Sequence, residues 1–464
     1  MKYKKYSLYL VVATFLIGGC KKELNQNDPD VIGEANAFTT FDHILLGLNG
    51  AYNKYSAYAN DMYVNALLSD EAKIGINNAG QGALTYRYQY SSDATTGGDV
   101  TASYFPYYNM IDHINRILPN IPLVTATSAQ EGLRDPVKGQ LLALRAIAHF
   151  ELMEAFSKNY SASEPLGVPI MLVSDNTAKP SRKTMGEVMT QIESDLSAAK
   201  NLLPVVTVAT FSDTAMNKVN VAAYQARIAL YKGDYANAIT YATEVINSNV
   251  KPLVTGATFA GIWTDANNSE TLLRIRYLTN STIGSLWTAG ALIYIAPSDK
   301  LVASYAATDI RKAAYIGTTS GNNYVNKFYT SSRGARVVDI KAIRTAEMYL
   351  IRAEAYAKQA TPNLALGAAD LNALRAQRIT GYVNQTFATA ADLITAVLDE
   401  RFKELCFEGF RFYDLKRNNL PVQRNSTDAS AEWQTLPVTS YRWVLPIPQA
   451  ELNANPNMVQ NSGY

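Results

Sequence analysis

Cysteine and histidine are scarce in this 464-residue chain, which contains two cysteines and three histidines. Cys20 ends an N-terminal apolar segment, so Cys406 is the one cysteine in the body of the chain, which excludes a disulfide framework and a Cys-based zinc site. The histidines, His43, His113 and His149, lie far apart without the spacing of metal ligands. His149 falls in a helical pattern and is interpreted as a packed or capping residue rather than a base. We therefore predict no metal site and no cofactor.

An excess of charge of either sign is also absent, since the chain has 42 basic and 40 acidic side chains. A nucleic-acid-binding protein needs a concentrated basic surface, so this balance argues against a nucleic-acid partner. The hydrophobic share of 48% is that of an ordinary globular protein, which excludes an intrinsically disordered chain.

Long apolar runs are lacking except at the N-terminus. Three lysines among the first five residues precede "YSLYLVVATFLIGG", a run too short to span a bilayer as a helix. The run leads into Ile17-Gly18-Gly19-Cys20, and small residues directly before a cysteine resemble a bacterial lipobox. This favours a lipoprotein signal peptide over an ordinary secretory signal with a chance cysteine. We predict that residues 1–19 are removed, that Cys20 is lipidated, and that residues 20–40 form a tether.

Helical periodicity dominates the body of the chain. The segment "LLALRAIAHFELMEAF" (141–156) carries an apolar stripe and predicts a helix lying on a core. In "VAAYQARIALYKGDYANAITYATEVI" (221–246), Gly233 and Asp234 separate two helical patterns rich in small residues, which lets antiparallel helices lie close together. A second pair is predicted over 342–378, with Thr361-Pro362 capping and starting its second helix. Both pairs are tetratricopeptide-like.

Two irregular regions rich in aromatic residues, 77–108 and 251–335, interrupt the helical pattern. Tyrosine is the abundant aromatic, with 30 residues against 14 phenylalanines and 4 tryptophans. Its flat apolar face and hydroxyl suit a polar ligand held at a surface. Tyr86, Tyr88 and Tyr90 would share one face if the chain were locally extended. Because loops of this length are usually functional, we expect the ligand site there.

Catalytic and nucleotide-binding motifs fail on inspection. "GQGALT" (80–85) lacks the third glycine of the dinucleotide pattern, and "DANNSE" (265–270) has a glutamate where a calcium-binding loop needs its turn glycine.

The stretch "ERFKELCFEGFRFYDLKR" (400–417) is the densest in charge. Glu400, Glu404 and Glu408 form one i, i+4 ridge beside an apolar stripe, with Arg401 next to Glu404, and Gly409 is predicted to end the helix. Glycosidases place two carboxylates on opposite sides of a bond, whereas neighbours on one ridge point the same way. We therefore interpret the stretch as a structural, ion-paired seam rather than a catalytic site.

Several segments resemble the SusD/RagB family of outer-membrane nutrient-binding lipoproteins. "ERFKELCFEGFRFYDLKR" closely resembles the family's C-terminal signature, and "VLPIPQAELNANPNMVQNSGY" resembles its terminus. In "YFPYYNMIDHIN", Tyr104, Tyr108, Ile111 and Asn115 fall where the family tends to have Trp, Tyr, Ile and Asn, so Tyr104 departs from the commoner tryptophan. The resemblance implies a mainly α fold in which tetratricopeptide-like pairs form a scaffold for a loop-rich, irregular ligand-binding region.

The function that the resemblance implies is binding without cleavage. Such proteins cap a SusC-like TonB-dependent transporter and pass it oligosaccharides, or peptides in RagB-like branches. We therefore expect a lipid-anchored protein of the outer membrane that faces the cell exterior. A secreted glycan hydrolase and a helical-repeat scaffold without a small ligand remain as alternatives.

We expect an N-terminal SusD-like region over 41–210 and a C-terminal SusD/RagB region, with inserted binding loops, over 211–464. Trp263 and Trp287 are the largest loop side chains and are expected to be exposed, while about half of the loop aromatics are expected to pin loops to the body. The candidate ligand-binding residues are Tyr86, Tyr88, Tyr104, Tyr108, Trp263, Tyr277, Trp287 and Tyr294.

Lipidation at Cys20 is directly testable. Two acyl chains on the diacylglycerol and a third, amide-linked chain would anchor the protein firmly, because each buried methylene adds about 0.8 kcal/mol. Metabolic labelling with a fatty-acid probe is expected to tag the wild type and not Cys20→Ala. Labelling that survives this substitution would contradict the prediction.

Overall fold

The computed structural model describes residues 37–279 and 282–464. The predicted signal peptide, Cys20 and residues 21–36 of the tether lie outside the described residues. Within these two ranges, no helix has the length and apolar character needed to cross a membrane.

The described chain is mainly helical, with short strands and single 3₁₀ turns between the helices. The helices are α1 (Phe41–Lys54), α2 (Tyr58–Leu68), α3 (Ala83–Tyr86), α4 (Gly98–Thr101), α5 (Tyr104–Ile117), α6 (Ser128–Glu131), α7 (Arg134–Phe156), α8 (Met185–Leu202), α9 (Lys218–Lys232), α10 (Tyr235–Ser248), α11 (Gly256–Trp263), α12 (Thr282–Trp287), α13 (Asp299–Ser304), α14 (Ile310–Tyr315), α15 (Thr345–Lys358), α16 (Leu364–Arg378), α17 (Ala390–Glu404), α18 (Arg411–Arg417) and α19 (Gln449–Ala454). The strands are β1 (Ala72–Ile74), β2 (Thr271–Ile275), β3 (Thr288–Ala289), β4 (Leu292–Ile293), β5 (Ile295–Pro297), β6 (Ile316–Thr319), β7 (Asn322–Val325), β8 (Ile340–Arg344), β9 (Val422–Gln423) and β10 (Thr435–Leu436).

The long helices pack against one another largely in chain order. Helix α1 contacts α5, α5 contacts α7, and α7 contacts α8; the series continues through α9 and α10 to α15 and α16. This pairwise packing confirms the scaffold of tetratricopeptide-like pairs. One continuous core contains residues from both the predicted N-terminal region (41–210) and the predicted C-terminal region (211–464), so the two regions pack together as one body.

Caps set the turns between paired helices. Gly233 ends α9 with φ +82°, and the Asp234 side chain accepts a hydrogen bond from the Asn237 N–H at 3.2 Å, as the sequence predicted. The cap predicted at Thr361-Pro362 is wrong. Helix α16 begins after Asn363, whose side-chain oxygen accepts from the Leu366 N–H at 3.1 Å and satisfies one of the first free amides.

The strands of the described residues form antiparallel pairs, namely β1–β5, β2–β8, β3–β4, β6–β7 and β9–β10. Two-stranded ribbons are marginal alone, so they depend on packing against the helical scaffold. The segment 251–344, which lies between α10 and α15, carries most of these strands and is held against α17 by buried charges.

Glu404, the last residue of α17, is the centre of this buried ion network. Its carboxylate accepts from Arg344 at 2.8 Å, from Arg378 at 3.0 Å and from Arg311 at 3.1 Å. All of these side chains are fully buried. The three cations hold the pKa of Glu404 far below its usual value in spite of the burial, which opposes ionisation.

The other members of the ridge extend the network. Glu400 pairs with Arg375 at 2.6 Å and with Arg311 at 2.5 Å. Glu408 pairs with Lys327 at 2.7 Å and with Arg344 at 2.7 Å. These contacts confirm the prediction that the stretch 400–417 is a structural, ion-paired seam.

Two details of that seam differ from the sequence interpretation. Arg401 pairs with Asp414 at 2.7 Å rather than with Glu404, whose carboxylate is occupied by the arginines from other elements. Helix α17 ends at Glu404, and Gly409 adopts φ +91° in the turn that precedes α18. This turn brings Arg411 to Asp70 at 2.7 Å and joins the seam to the N-terminal helices.

We predict that Glu408→Ala destabilises the fold without a direct effect on ligand affinity. The substitution removes the carboxylate that pairs with the buried Lys327 and with Arg344, which keeps its pair with Glu404. Breaking a buried ion pair typically costs about 3–5 kcal/mol of unfolding free energy. Chemical unfolding of Glu408→Ala is compared with that of Glu432→Ala, which removes an exposed glutamate. A Glu408→Ala protein of wild-type stability that has lost ligand binding would contradict the structural role.

Glu71 is a buried carboxyl that contacts the seam, and only one of its two oxygens has a hydrogen-bond partner among the described residues. One oxygen accepts from the Phe407 N–H at 2.9 Å, and the other has no partner among the described residues. Burial raises the pKa of Glu71 to about 8, even though Lys327 and Arg411 favour its charged form. The neutral acid is therefore the form that the fold favours.

This raised pKa predicts a pH-dependent stability. Because native Glu71 keeps its proton to higher pH than the unfolded chain does, its contribution is greatest at low pH and is lost as the pH rises from about 5 to about 8. Each such group contributes a slope of up to about 1.4 kcal/mol per pH unit. Urea unfolding at a series of pH values is expected to show that the unfolding free energy declines less steeply with rising pH for Glu71→Gln than for the wild type. Equal slopes for the two proteins would contradict this assignment.

Candidate functional site

The two aromatic-rich regions, far apart in sequence, meet in the structure. Strand β1 pairs with β5, with Ala72 opposite Pro297 and Ile74 opposite Ile295. The contact continues past the strands, where the Asn77 N–H donates to the Ile293 carbonyl at 3.0 Å. The fold thus brings the first region to the edge of the second.

Two hairpins project beside this junction. Strands β6 and β7 are joined by Ser320 and Gly321, both with positive φ (47° and 78°), which is the backbone that a two-residue type I′ turn requires. Strands β3 and β4 are joined by Gly290 and Ala291. Between the hairpins lies a cavity of about 220 Å³, which we call the hairpin groove; it is lined by Thr288, Gly290, Ala291, Ile293, Thr319, Tyr324 and Tyr329.

Two tyrosines give the hairpin groove its aromatic surface. Tyr324 and Tyr329 are half-buried, and their rings meet edge to face with centroids 5.3 Å apart. The Tyr329 hydroxyl donates to the Gly290 carbonyl at 3.3 Å, which links the chain that follows the β6–β7 hairpin to the turn of the β3–β4 hairpin. Burial, with a smaller contribution from Tyr329, raises the pKa of Tyr324, so its hydroxyl stays protonated at neutral pH.

Thr288 adds a polar group to the wall of the hairpin groove. Its hydroxyl is buried and has no hydrogen-bond partner among the described residues. An unpaired buried hydroxyl costs about 1–3 kcal/mol, so a ligand that pairs with it gains an interaction that the free protein lacks. The lining residues include no acid, base or thiol. The groove therefore offers flat faces and hydrogen bonds for a polar molecule, without the paired carboxylates of a glycosidase.

Of the sequence candidates, Tyr294 lies beside the hairpin groove. It follows the lining residue Ile293 and is half-buried, and its carbonyl accepts from the Asn78 side chain at 2.9 Å. Tyr277 is also half-buried but lies at the end of β2, where its N–H donates to Asp339 at 2.9 Å. It lines none of the cavities described here.

Tyr86 and Tyr88 do not form an extended surface stripe. Tyr86 ends helix α3, and Tyr88 has φ +57°. Both rings are buried against the Arg424 guanidinium, at 3.9 Å and 4.7 Å, and their hydroxyls donate to the carbonyls of Asp428 and Leu68. The expectation of a shared exposed face is wrong because the buried Arg424 requires aromatic and carbonyl partners, which this segment supplies.

Trp263 and Trp287 are buried, so the expectation that they are exposed is wrong. The Trp287 ring is fully buried between Tyr63 at 5.5 Å and Phe407 at 5.3 Å. The Trp263 ring faces the Lys327 ammonium at 4.2 Å, at the edge of the ion network. These two tryptophans are core residues that stabilise the segment 251–344, and we do not propose them as ligand contacts.

Tyr104 and Tyr108 line a separate groove of about 270 Å³ between α5 and the segment 169–180. Tyr104 is 1% exposed and packs edge to face on Phe156 at 5.1 Å. Tyr108 is half-buried, and its hydroxyl donates to the Pro169 carbonyl at 3.1 Å. Asn115 holds the same segment through the Met171 carbonyl at 3.0 Å. Through these contacts, Tyr108 and Asn115 hold the segment 169–180, which follows α7, in position.

Thr288, Tyr324 and Tyr329 were not among the candidate residues drawn from the sequence. A signal for Tyr324 was present in "IGTTSGNNYV" (316–325), where Ser-Gly between β-prone stretches is a hairpin pattern. A hairpin with a tyrosine on its second strand presents that ring on one face of the ribbon. No sequence pattern identified Thr288, because its unpaired hydroxyl is a property of the packing.

Comparisons with known proteins agree with this architecture. The model of the SusD family matches residues 295–464, and a second family model, described as "Starch-binding associating with outer membrane", matches residues 24–230. SusD-like protein P2 from Formosa agariphila is 24% identical over 537 aligned residues, which cover 99% of this chain and 100% of that protein.

Solved structures show the same fold. A SusD superfamily protein from Bacteroides thetaiotaomicron, 25% identical, has a TM-score of 0.81 over 91% of this chain and 100% of its own. A SusD-like carbohydrate binding protein from Bacteroides vulgatus, 22% identical, has a TM-score of 0.77 over 91% of this chain and 98% of its own.

The fold is a helical-repeat scaffold that carries a loop-built groove. The two family models cover most of the chain without overlapping, and this chain belongs to the SusD/RagB family.

Proposed function

We propose that this protein captures an oligosaccharide in the hairpin groove and delivers it to a SusC-like TonB-dependent transporter of the outer membrane. The observation that carries the proposal is the combination of the aromatic faces of Tyr324 and Tyr329 with the unpartnered Thr288 hydroxyl. A sugar ring has an apolar C–H face and a rim of hydroxyls, so it complements such a surface.

The size of the groove supports an oligomeric ligand. Its volume of about 220 Å³ is below the roughly 300–1,000 Å³ of pockets that enclose a small molecule. A groove of this size holds one unit of a chain, while the neighbouring units extend along the half-buried Tyr294 and the polar residues 77–81. The absence of acids and bases from its lining favours binding over hydrolysis.

The family supports the glycan class and the location. One of the matching models carries the description "Starch-binding associating with outer membrane". Together with the lipobox-like segment before Cys20, this favours a lipid-anchored protein that faces the cell exterior. The SusC-like partner is proposed from the family resemblance.

We predict that substitutions in the hairpin groove weaken glycan binding without unfolding the protein. With maltoheptaose and other neutral oligosaccharides as probes, calorimetry is expected to show at least about tenfold weaker binding for Tyr324→Ala and Tyr329→Ala, or about 1.4 kcal/mol. Thr288→Val is expected to weaken binding while keeping or raising stability, because it removes an unpaired hydroxyl.

Tyr241→Ala, which removes a half-buried tyrosine from α10, is the matched control and is expected to bind as the wild type does. Folded variants of the groove with wild-type affinity would place the ligand elsewhere. A wild type that binds a panel of oligopeptides and none of the oligosaccharides would replace the glycan proposal with the peptide-binding alternative.

A further inference from the structure

A larger cavity lies at the C-terminal end of the molecule, away from the residues of the hairpin groove. It has a volume of about 680 Å³ and is bounded by residues 158–166, by the end of α18 and the residues after it, and by residues 438–444 with Asn461 and Ser462. We call it the C-terminal cavity. Its volume falls within the roughly 300–1,000 Å³ of small-molecule sites, and it shares no lining residue with the hairpin groove.

The walls of the C-terminal cavity are held rigidly. Trp443 is buried and stacks on Phe412 with ring centroids 4.7 Å apart, and its indole N–H donates to the Pro437 carbonyl at 2.9 Å. The buried Asn461 side chain donates to the carbonyls of Phe156 and Leu445 at 2.9 and 2.7 Å. Because these partners fix the wall side chains, little ordering is needed when a ligand binds.

Two lysines at this cavity lack a carboxylate partner within the described residues. The Lys416 ammonium donates to the backbone carbonyls of Glu154 and Ser157 at 2.9 and 2.6 Å and lies over the rings of Tyr160 and Tyr413. No carboxylate oxygen of the described residues lies within ion-pair distance of it. Lys158 is exposed and has no ion pair or hydrogen bond in the described structure. By contrast, Lys327 in the seam pairs with Glu408.

The remaining charge at the cavity does not neutralise these lysines. Glu164 is the one carboxylate among the lining residues, and it accepts from the Asn159 side chain at 2.9 Å. The lining therefore has one more positive than negative group. Burial lowers the pKa of Lys416 to about 7, against the opposing effect of the Glu154 and Glu164 carboxylates, so a bound anion would add to the stabilisation of its ammonium form.

The other lining groups suit a sugar. Tyr441 is 42% exposed and offers the open edge of an aromatic ring, while Thr439 and Ser440 supply hydroxyls and Asn419 supplies an amide. An anion without hydroxyls would leave these groups unused. The combination of two lysines without an ion pair in the described structure, an aromatic surface and several neutral hydrogen-bonding groups matches a sugar unit that carries a carboxylate.

We propose that the C-terminal cavity is a second binding site, which takes an acidic sugar unit with its carboxylate beside Lys416 and Lys158 and its ring against Tyr441. The choice of a sugar acid rests on the proposed glycan-binding function. The site is independent of the hairpin groove, so a ligand with neutral and acidic units would engage the protein at two places.

The test uses trigalacturonic acid and its methyl ester, which has the same ring units without the negative charges. Calorimetry on the full protein is expected to show binding of the acid at least about tenfold tighter than that of the ester. Lys158→Met and Lys416→Met are each expected to weaken binding of the acid by about fivefold or more. Lys312→Met removes an exposed lysine from α14 and is expected to have no effect.

The outcomes separate the two sites. Because Lys416 also holds two backbone carbonyls, its variant is compared with Lys158→Met, which alters an exposed side chain and leaves the fold intact. Absence of binding of trigalacturonic acid, equal affinity for the ester, or acetate binding as tight as that of the trisaccharide would each overturn the proposal. Loss of acid binding in Tyr324→Ala would also overturn it, since the ligand would then occupy the hairpin groove.

Discussion

The contact on which the rest of the structure depends is the buried carboxylate of Glu404. It receives hydrogen bonds from Arg311 in α14, Arg344 at the end of β8 and Arg378 at the end of α16. An unpaired charge at this depth would cost several kcal/mol, so the three elements must approach α17 together for the fold to be stable. The network therefore sets the position of the insert between α10 and α15 on the helical scaffold.

The geometry of the hairpin groove follows from that network through Lys327. Its ammonium donates to Glu408 at 2.7 Å and to the Cys406 carbonyl at 2.8 Å, and the residue lies in the 3₁₀ turn between β7 and Tyr329. The rings of Tyr315 and Trp263 enclose the same ammonium at 3.9 and 4.2 Å. The end of the hairpin next to Lys327 is thus fixed in the core, and the two tyrosines of the groove, Tyr324 and Tyr329, lie on either side of this residue in the chain.

The aromatic residues divide into two groups by this arrangement. The first group packs in the interior beside buried cations, as Trp263 does beside Lys327 and Tyr86 beside Arg424. A guanidinium or ammonium that is shielded from water needs aromatic faces and carbonyls around it. Those on the short hairpins, such as Tyr324, keep part of their ring exposed. The abundance of tyrosine in the sequence therefore reflects both the core and the candidate site.

The sequence by itself determined the helical pairs, the caps at Gly233 and Asp234, and the structural role of residues 400–417, because periodicity, capping and i, i+4 charge ridges are local properties. The family resemblance added the class of protein. Tertiary structure alone decided which aromatics are exposed: Trp287 and Tyr88 are buried by contacts with residues that are distant in the chain, and no local pattern records those partners. The unpaired hydroxyl of Thr288 and the lack of an ion pair to Lys416 among the described residues are likewise set by the packing, which exists only once the chain is folded.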